Sequence, residues 1–275
     1  MQTLSASGVV MKSAQELARM REAGRLLGEV LALVASQARP GVRTAELDAL
    51  AEAEIRARGC IPSFIGYGGG GGRAPFPATV CISINEEVVH GIPSNRALKE
   101  GDIVGLDLGL IHEGLHADSA LTVGVGVISP AAQRLIDCTR EALEQGIAAA
   151  HPGTRISDIS AAIQASIEPF QYGIVREYVG HGIGRALHED PQVPNFGQAG
   201  HGLLLRPGMT LALEPMVNLA DWRTRVLPDA WTVVTADGGL SAHFEHTICI
   251  TEGAAEVFTR RPGELGLSAQ KKRLT

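Results

Sequence analysis

Two aspartates stand where like charges are costly. In GLDLGLIHEGLHADSA, residues 105–120, Leu106, Leu108 and Leu110 alternate with Asp107, Gly109 and Ile111. His112-Glu113-Gly114 interrupts the run, and strand-like residues return from Leu115 to Val127. The pattern predicts a β-hairpin. A turn centred between His112 and Glu113 sets Asp107 directly opposite Asp118, with Cβ atoms about 4.5–5.5 Å apart, where like charges destabilise the pair. A second pair of strand acids follows: Glu214 in LRPGMTLALEPM and Glu245 in LSAHFEHTICI, with His181 and His188 of VGHGIGRALHEDP lying before them. Divalent cations resolve the repulsion, because coordination favours the ionised carboxylate. Carboxylates and an imidazole can hold two ions about 3.5–4 Å apart, which carry a bridging hydroxide and polarise a carbonyl. Taken singly, a strand aspartate is ordinarily a solvent-face or turn residue. A single bulge would also undo the pairing. The joint pattern of opposed acids, a second pair and an intervening histidine is what points to a metal.

These residues need elements to hold them. Ser13 and Glu16 form a capping box, and Leu17, Met20, Leu27, Val30, Leu31 and Val34 follow at helical spacing up to a stop at Pro40-Gly41. A second helix is predicted over 45–58 with Thr44 as N-cap and Gly59 as stop. Ser129-Pro130 starts a third, reaching about residue 150, and Ser157 is expected to cap a fourth that ends near Ile167. Strands are predicted over 80–84, 173–179, 209–213, 231–235 and 243–250. The order of two helices and then strands thus occurs twice. PGVRTAEL at 40–47 matches PGTRISDI at 152–159, and LKEGDIVGLD at 98–107 matches LRPGMTLALE at 205–214, at nearly the same offset. The second match aligns Asp107 with Glu214. Two halves facing each other across a pseudo-twofold axis, with one site between them, are expected.

The remaining composition narrows the class. The chain has 275 residues, 45% hydrophobic and 20% charged, enough for a sizeable core. A net charge of −6 and a pI near 5.9 leave no basic footprint for nucleic acid. Cys60, Cys81, Cys138 and Cys249 form no CxxC pair, which suits a reducing, cytoplasmic compartment. The first residues lack signal-peptide character, and no apolar run long enough to span a membrane is present. Met11 precedes the first helix and is an alternative start to Met1. The glycine run at 68–72 lacks the Gly-Lys-Ser/Thr ending of a phosphate loop, and a flexible rim is expected there.

Five segments carry a resemblance: VCISINEEVVHGIP, GDIVGLDLGLIHEGLHADSA, YVGHGIGRALHEDPQVPNFG, LRPGMTLALEPM and LSAHFEHTI. They resemble the successive motifs of the type I methionine aminopeptidases, from about residue 13 to 258. The resemblance implies an α+β pita-bread fold, internally duplicated, with curved antiparallel sheet. It implies a tail at 1–12, one catalytic domain at 13–260 with halves near 13–127 and 128–258, and a second tail at 261–275. It also implies two divalent ions (Mn, Fe, Co or Zn) held by Asp107, Asp118, His181, Glu214 and Glu245, with Asp118 and Glu245 bridging. His90 and His188 would contact substrate, and Glu214 would shuttle the proton.

Phe64, Tyr67, Phe76, Cys81, Leu187 and Trp231 would line a methionine pocket. Leu187 stands where many relatives carry a larger aromatic, and His112 and His116 are expected outside the ligand set. The activity implied is removal of N-terminal methionine from nascent polypeptides, by a monomer in the cytoplasm that works near the ribosome, with no nucleic-acid or membrane partner. Two other readings stay open: an Xaa-Pro peptidase on the same fold, whose members usually add a large N-terminal domain, and a binding protein that kept the fold without catalysis.

Overall fold

The computed structural model describes residues 8–70 and 73–264. Residues 1–7, most of the expected first tail, lie outside the described residues, as do Gly71 and Gly72 of the glycine run and residues 265–275 of the second tail.

The first half opens on helices α1 (Ala14–Ser36) and α2 (Thr44–Ala57). The capping box of α1 forms as expected: the Ser13 N–H donates to Glu16 at 2.8 Å, and the Glu16 N–H donates to Ser13 Oγ at 3.3 Å. Met20, Leu27, Val30, Leu31 and Val34 form its buried stripe. Strands β1 (Ile61–Pro62), β2 (Val80–Ile84), β3 (Glu87–Val89), β4 (Ile103–His112) and β5 (Leu115–Gly124) follow. β4 runs antiparallel to β5 on one side and to β1 and β2 on the other. The second half repeats the order. Helices α3 (Pro130–Ala149) and α4 (Ile156–Ile167) precede β6 (Gly173–Ile174), β7 (Gly180–Gly182), β8 (Glu189–Val193), β9 (Thr210–Leu213) and β10 (Met216–Asn218). The remaining strands are β11 (Thr224–Val226), β12 (Val233–Thr235), β13 (Ser241–His243), β14 (His246–Cys249) and β15 (Glu256–Val257). A five-stranded sheet in the order β15-β14-β9-β7-β8 carries the second half of the site. Every strand pair among the described residues is antiparallel.

The duplication extends to individual hydrogen bonds. In the first half Gly41 N donates to Leu98 O at 2.8 Å and Leu98 N to Val42 O at 2.8 Å. In the second, Gly153 N donates to Leu205 O at 3.4 Å and Leu205 N to Thr154 O at 2.8 Å. The two matched sequence segments of each half are therefore bonded to each other. The N-caps differ from expectation in the same way in both halves: they are Arg43 and Arg155, not Thr44 and Ser157. The hydroxyls expected to cap are engaged elsewhere. Thr44 Oγ1 accepts from Ser94 N at 2.8 Å, and Ser157 Oγ accepts from His201 N at 2.6 Å. Glu46 and Asp158 serve the helix starts instead, accepting the N–H of Arg43 and Arg155.

The hairpin register also differs. His112 pairs with Leu115, so Asp107 faces Ala120 and Asp118 faces Gly109. The turn centre lies between Glu113 and Gly114, both at positive φ (46° and 79°), the geometry a two-residue hairpin loop demands and glycine supplies. A shift of two residues preserves the face, because side chains alternate with period two. Asp107 and Asp118 are therefore diagonal neighbours on one face rather than direct partners.

Three expected strands are shorter than their β-rich composition suggested, and of 231–235 only Val233–Thr235 is strand. Residues 173–179 pair only at Gly173–Ile174. The run 243–250 breaks at Phe244-Glu245, where the chain changes sheets. There Glu245 N donates to Ala120 O at 2.9 Å and Ala120 N to Glu245 O at 3.3 Å, which stitches the second half to β5 of the first.

Candidate metal centre

The two sheets meet around a cavity of about 260 Å³. Asp107 reaches it from β4 and Asp118 from β5, while His181 comes from β7, Glu214 from the end of β9 and Glu245 from the crossing between β13 and β14. All five expected ligand positions line this one space. Asp118, His181 and Glu245 each offer a ligand atom within 4.8 Å of the other two.

The backbone fixes these side chains. Asp118 N accepts no freedom of register: it donates to Thr247 Oγ1 at 2.9 Å, and that hydroxyl donates back to Asp118 O at 2.8 Å. Ser119 Oγ donates to Glu245 O at 2.8 Å, and Asn195 Nδ2 to Glu214 O at 3.1 Å. His181 Nδ1 lies 2.9 Å from Gly182 O, a partner that only accepts. The ring proton is therefore on Nδ1, and the Nε2 lone pair points inward, 3.4 Å from Glu214 Oε1.

The electrostatics favour a cation among these acids. Burial pushes the Asp107 carboxyl up to about 7. Burial first, and the neighbouring carboxylates second, push Asp118, Glu214 and Glu245 well above the carboxylate range. Burial, reinforced by His188, lowers His181 to about 3, so its imidazole is neutral at pH 7. Asp107 Oδ1 and Glu245 Oε1 are buried without a hydrogen-bond partner. Unpaired buried acceptors are costly, and here two stand with the Nε2 lone pair of His181 around one space. Hard oxygen donors plus one imidazole, already oriented by a backbone carbonyl, fit divalent metal ions.

The other expected residues surround this centre. His188 lies tilted against His181, ring centroids 4.2 Å apart, and the Tyr67 hydroxyl lies 2.6 Å from His188 Nδ1. His90 stands edge-on to Trp231 at 6.0 Å. Burial lowers it to about 4, with Arg73 and His188 adding to the effect. Phe64, Phe76, Cys81, Leu187 and Trp231 are buried in the cavity wall, and Tyr67 sits half-exposed at its edge. Phe76 meets Trp231 edge-to-face at 5.1 Å and Phe64 at 6.5 Å. His112 and His116 lie outside the cavity, as expected. His112 Nδ1 is 3.7 Å from Cys60 Sγ, and His116 Nδ1 is 3.0 Å from Ser63 Oγ.

Sequence reasoning missed Arg73, Val89, Tyr178 and Met216 of this wall, and His243 behind it. Tyr178 faces His90 at 5.7 Å, and Met216 and Arg73 also line the space. His243 is buried behind Glu214, its Nε2 3.8 Å from Glu214 Oε2. The signal for His243 was available: it precedes Glu245 by two residues, and β-strand periodicity would have placed both on one side.

Comparison with known proteins agrees with this geometry. Residues 18–252 match the model of metallopeptidase family M24. A methionine aminopeptidase of Clostridium perfringens is 48% identical over 251 residues, 91% of this chain and 98% of the relative. The crystal structure of a methionine aminopeptidase from Thermotoga maritima superposes with a TM-score of 0.88 at 43% identity, covering 92% of this chain and 100% of that one. A prolidase from Pyrococcus horikoshii, 20% identical, shares the fold at a TM-score of 0.72, with 91% of this chain covering 63% of that one. The architecture is the duplicated α+β pita-bread fold, and no helix among the described residues is long and apolar enough to cross a membrane. The chain belongs to metallopeptidase family M24, whose members use divalent metal.

Proposed function

We propose that this chain is a methionyl aminopeptidase, a hydrolase that removes the N-terminal methionine of nascent polypeptides in the cytoplasm. We read it as a monomer acting near the ribosome, with one catalytic domain over 13–260. The observation that carries the reading is the convergence of Asp118, His181 and Glu245 within 4.8 Å, beside Asp107 and Glu214, with carboxylate oxygens left unpaired. Near-full-length similarity to a methionine aminopeptidase supports it; likeness to the prolidase extends to fold alone.

Asp107, Asp118, His181, Glu214 and Glu245 would hold two divalent ions, Mn, Fe, Co or Zn. Such ions supply Lewis-acid polarisation of the scissile carbonyl and lower the pKa of water. Asp107 also accepts from the free α-amine of the substrate, a group present only at a chain end, which restricts cutting to the first residue. Glu214 takes the proton of the attacking water and passes it to the leaving nitrogen. With the Tyr67 O–H donating to His188 Nδ1, the ring proton of His188 sits on Nε2, free to donate to the oxygen that gains charge. His90 contacts the peptide backbone on the leaving-amine side. Phe64, Tyr67, Phe76, Cys81, Leu187 and Trp231 form an apolar slot for an unbranched thioether side chain. Leu187 widens that slot relative to an aromatic.

The test is release of free methionine from Met-Ala-Ser. Metal-stripped protein is supplied with Mn, Fe, Co or Zn in turn, with the N-acetylated peptide as control. Metal-dependent release from the free peptide alone is expected. Folded protein that is silent with every metal, or that cuts only an Xaa-Pro peptide, contradicts the reading.

A further inference from the structure

Arg73 is the one lysine or arginine among the described residues of the cavity wall. The other ionisable groups there are the four carboxylates, imidazoles, phenols and a thiol. Arg73 is held in place by the loop that carries it. Gly70 and Arg73 exchange backbone hydrogen bonds of 3.1 and 3.0 Å. Ala74 O accepts from Trp231 Nε1 at 3.0 Å. Gly68, at φ +69°, lies so close to the indole that a Cβ there would stand 2.8 Å from a ring carbon. Gly68 and Ala74 are thus both held against Trp231, and the guanidinium carbon of Arg73 sits 3.1 Å from the indole centroid. A guanidinium fixed by its flat face keeps its N–H edge available, which an ammonium cannot do in that geometry. Among the described residues, that edge meets no carboxylate and no carbonyl.

The position sets what the edge can meet. Asp118, His181, Glu245 and Trp231 are buried, whereas Tyr67, Gly68 and Arg73 are exposed, so the mouth of the cavity is at the latter three. A peptide whose first residue occupies the closed end must leave past this rim. We infer that Arg73 is a specificity-determining residue that selects substrates bearing a carboxylate beyond the second residue, either on an acidic side chain or at the end of a short peptide. The inference rests on the reading of the cavity as an exopeptidase site. It gives Gly68 a role: having no side chain, it lies against the indole that Arg73 also covers, and one cation stands beside a site whose own charge is acidic.

The experiment compares kcat/KM of the metal-loaded enzyme on C-terminally amidated Met-Ala-Asp-Ser, Met-Ala-Asn-Ser and Met-Ala-Lys-Ser, with Met-Ala-Ser as free acid and as amide. The expected order is Asp above Asn above Lys, with Asp favoured over Asn by about three- to fivefold, the range of an exposed ion pair. The preference should shrink in high salt. Arg73→Ala should bring the Asp-to-Asn ratio to about one, and Arg73→Glu should invert it. A preference only for the free acid over the amide assigns the contact to the chain terminus. Equal ratios in the wild type and Arg73→Ala overturn the inference while leaving the peptidase intact. Failure to cut any of these peptides removes the peptidase reading and this inference together.

Discussion

Two clusters of carboxylates and an imidazole, one buried and one largely so, have opposite characters. In the cavity, Asp118, His181 and Glu245 bring ligand atoms within 4.8 Å, and Glu144, His246 and Glu264 do the same on the far side of β14. The second cluster contains its own cations. Arg260 forks onto Glu144, and Arg261 Nη2 reaches Glu264 at 2.8 Å while its Nη1 donates to Ser119 Oγ at 3.1 Å. Although burial opposes it, the hydrogen bonds and charges of His246 and Arg261 hold the Glu264 carboxyl far below its usual value. Burial alone drives Asp107 the other way, to about 7. A buried acid beside an arginine is a clasp; buried acids grouped without one form a donor set suited to a cation. Ligand-type side chains in proximity therefore say little until the positive charges around them are counted.

Substitutions should separate the two clusters, beginning with the largest effect. Asp118→Asn is expected to lower turnover by more than about a hundredfold and to reduce bound metal, a loss at least equal to that of disturbing an outer-sphere partner. Metal analysis alongside kinetics checks it, and near-normal turnover would contradict the ligand assignment. His188→Ala is expected to lower kcat by about 10²–10³, the cost of one hydrogen-bond donor to a developing oxyanion, with metal content retained. A variant that simply loses metal would refute that role.

Glu264→Gln should leave metal content unchanged and cost about 3 kcal/mol of stability, because the buried Arg261 loses its partner. A denaturant midpoint equal to that of wild type would show that the clasp is unimportant.

The smallest effect is the sharpest in sign. The folded pKa of Asp107 lies above its ordinary 3.8, so the metal-free fold loses stability as pH rises from that value to about 7, where the loss is complete. Asp107→Asn should stabilise the metal-free protein at pH 8 by on the order of 1 kcal/mol, and this gain should fade as pH drops from 7 towards 4. The folded pKa of Glu264 lies below its ordinary 4.5, so its contribution is present above that value and is lost as pH falls below it. The Glu264→Gln deficit should therefore be full at pH 7 and shrink in acid. Differences between variant and wild type cancel the histidines common to both. Thermal midpoints across pH, in chelator, would show the two trends, and parallel trends would defeat the comparison.

Much of this was legible in the sequence because period-two and helical patterns report which face is buried. The capping box at Ser13, the strand at β2 and the duplicated segments all follow from local rules, and the five residues expected as ligands, which line one cavity, followed from repeated acids and a motif resemblance. The misreadings arose where a distant partner outbid a local one. Thr44 and Ser157 look like caps until Ser94 and His201 claim their hydroxyls. Residues 243–250 look like one strand until Ala120 takes the backbone of Glu245. The hairpin register was displaced by two because Glu113 accepts a left-handed conformation that composition does not announce. Tyr178 and Arg73 carry no periodic signal; tertiary packing alone brings them to the cavity.

The backbone stitch between Ala120 and Glu245 has a consequence for folding order. Asp107 and Asp118 belong to one hairpin that can close locally, whereas Asp118 and Glu245 are joined only after the intervening chain has formed its own helices and sheet. Closing that long loop is the slower, higher-contact-order event. Neither half alone contains the complete set of donors, so a metal ion bound at full strength reports that the halves have docked. Metal capture during refolding would serve as a clock for that last step, and a newly made chain would acquire its reactivity only once its own assembly was finished.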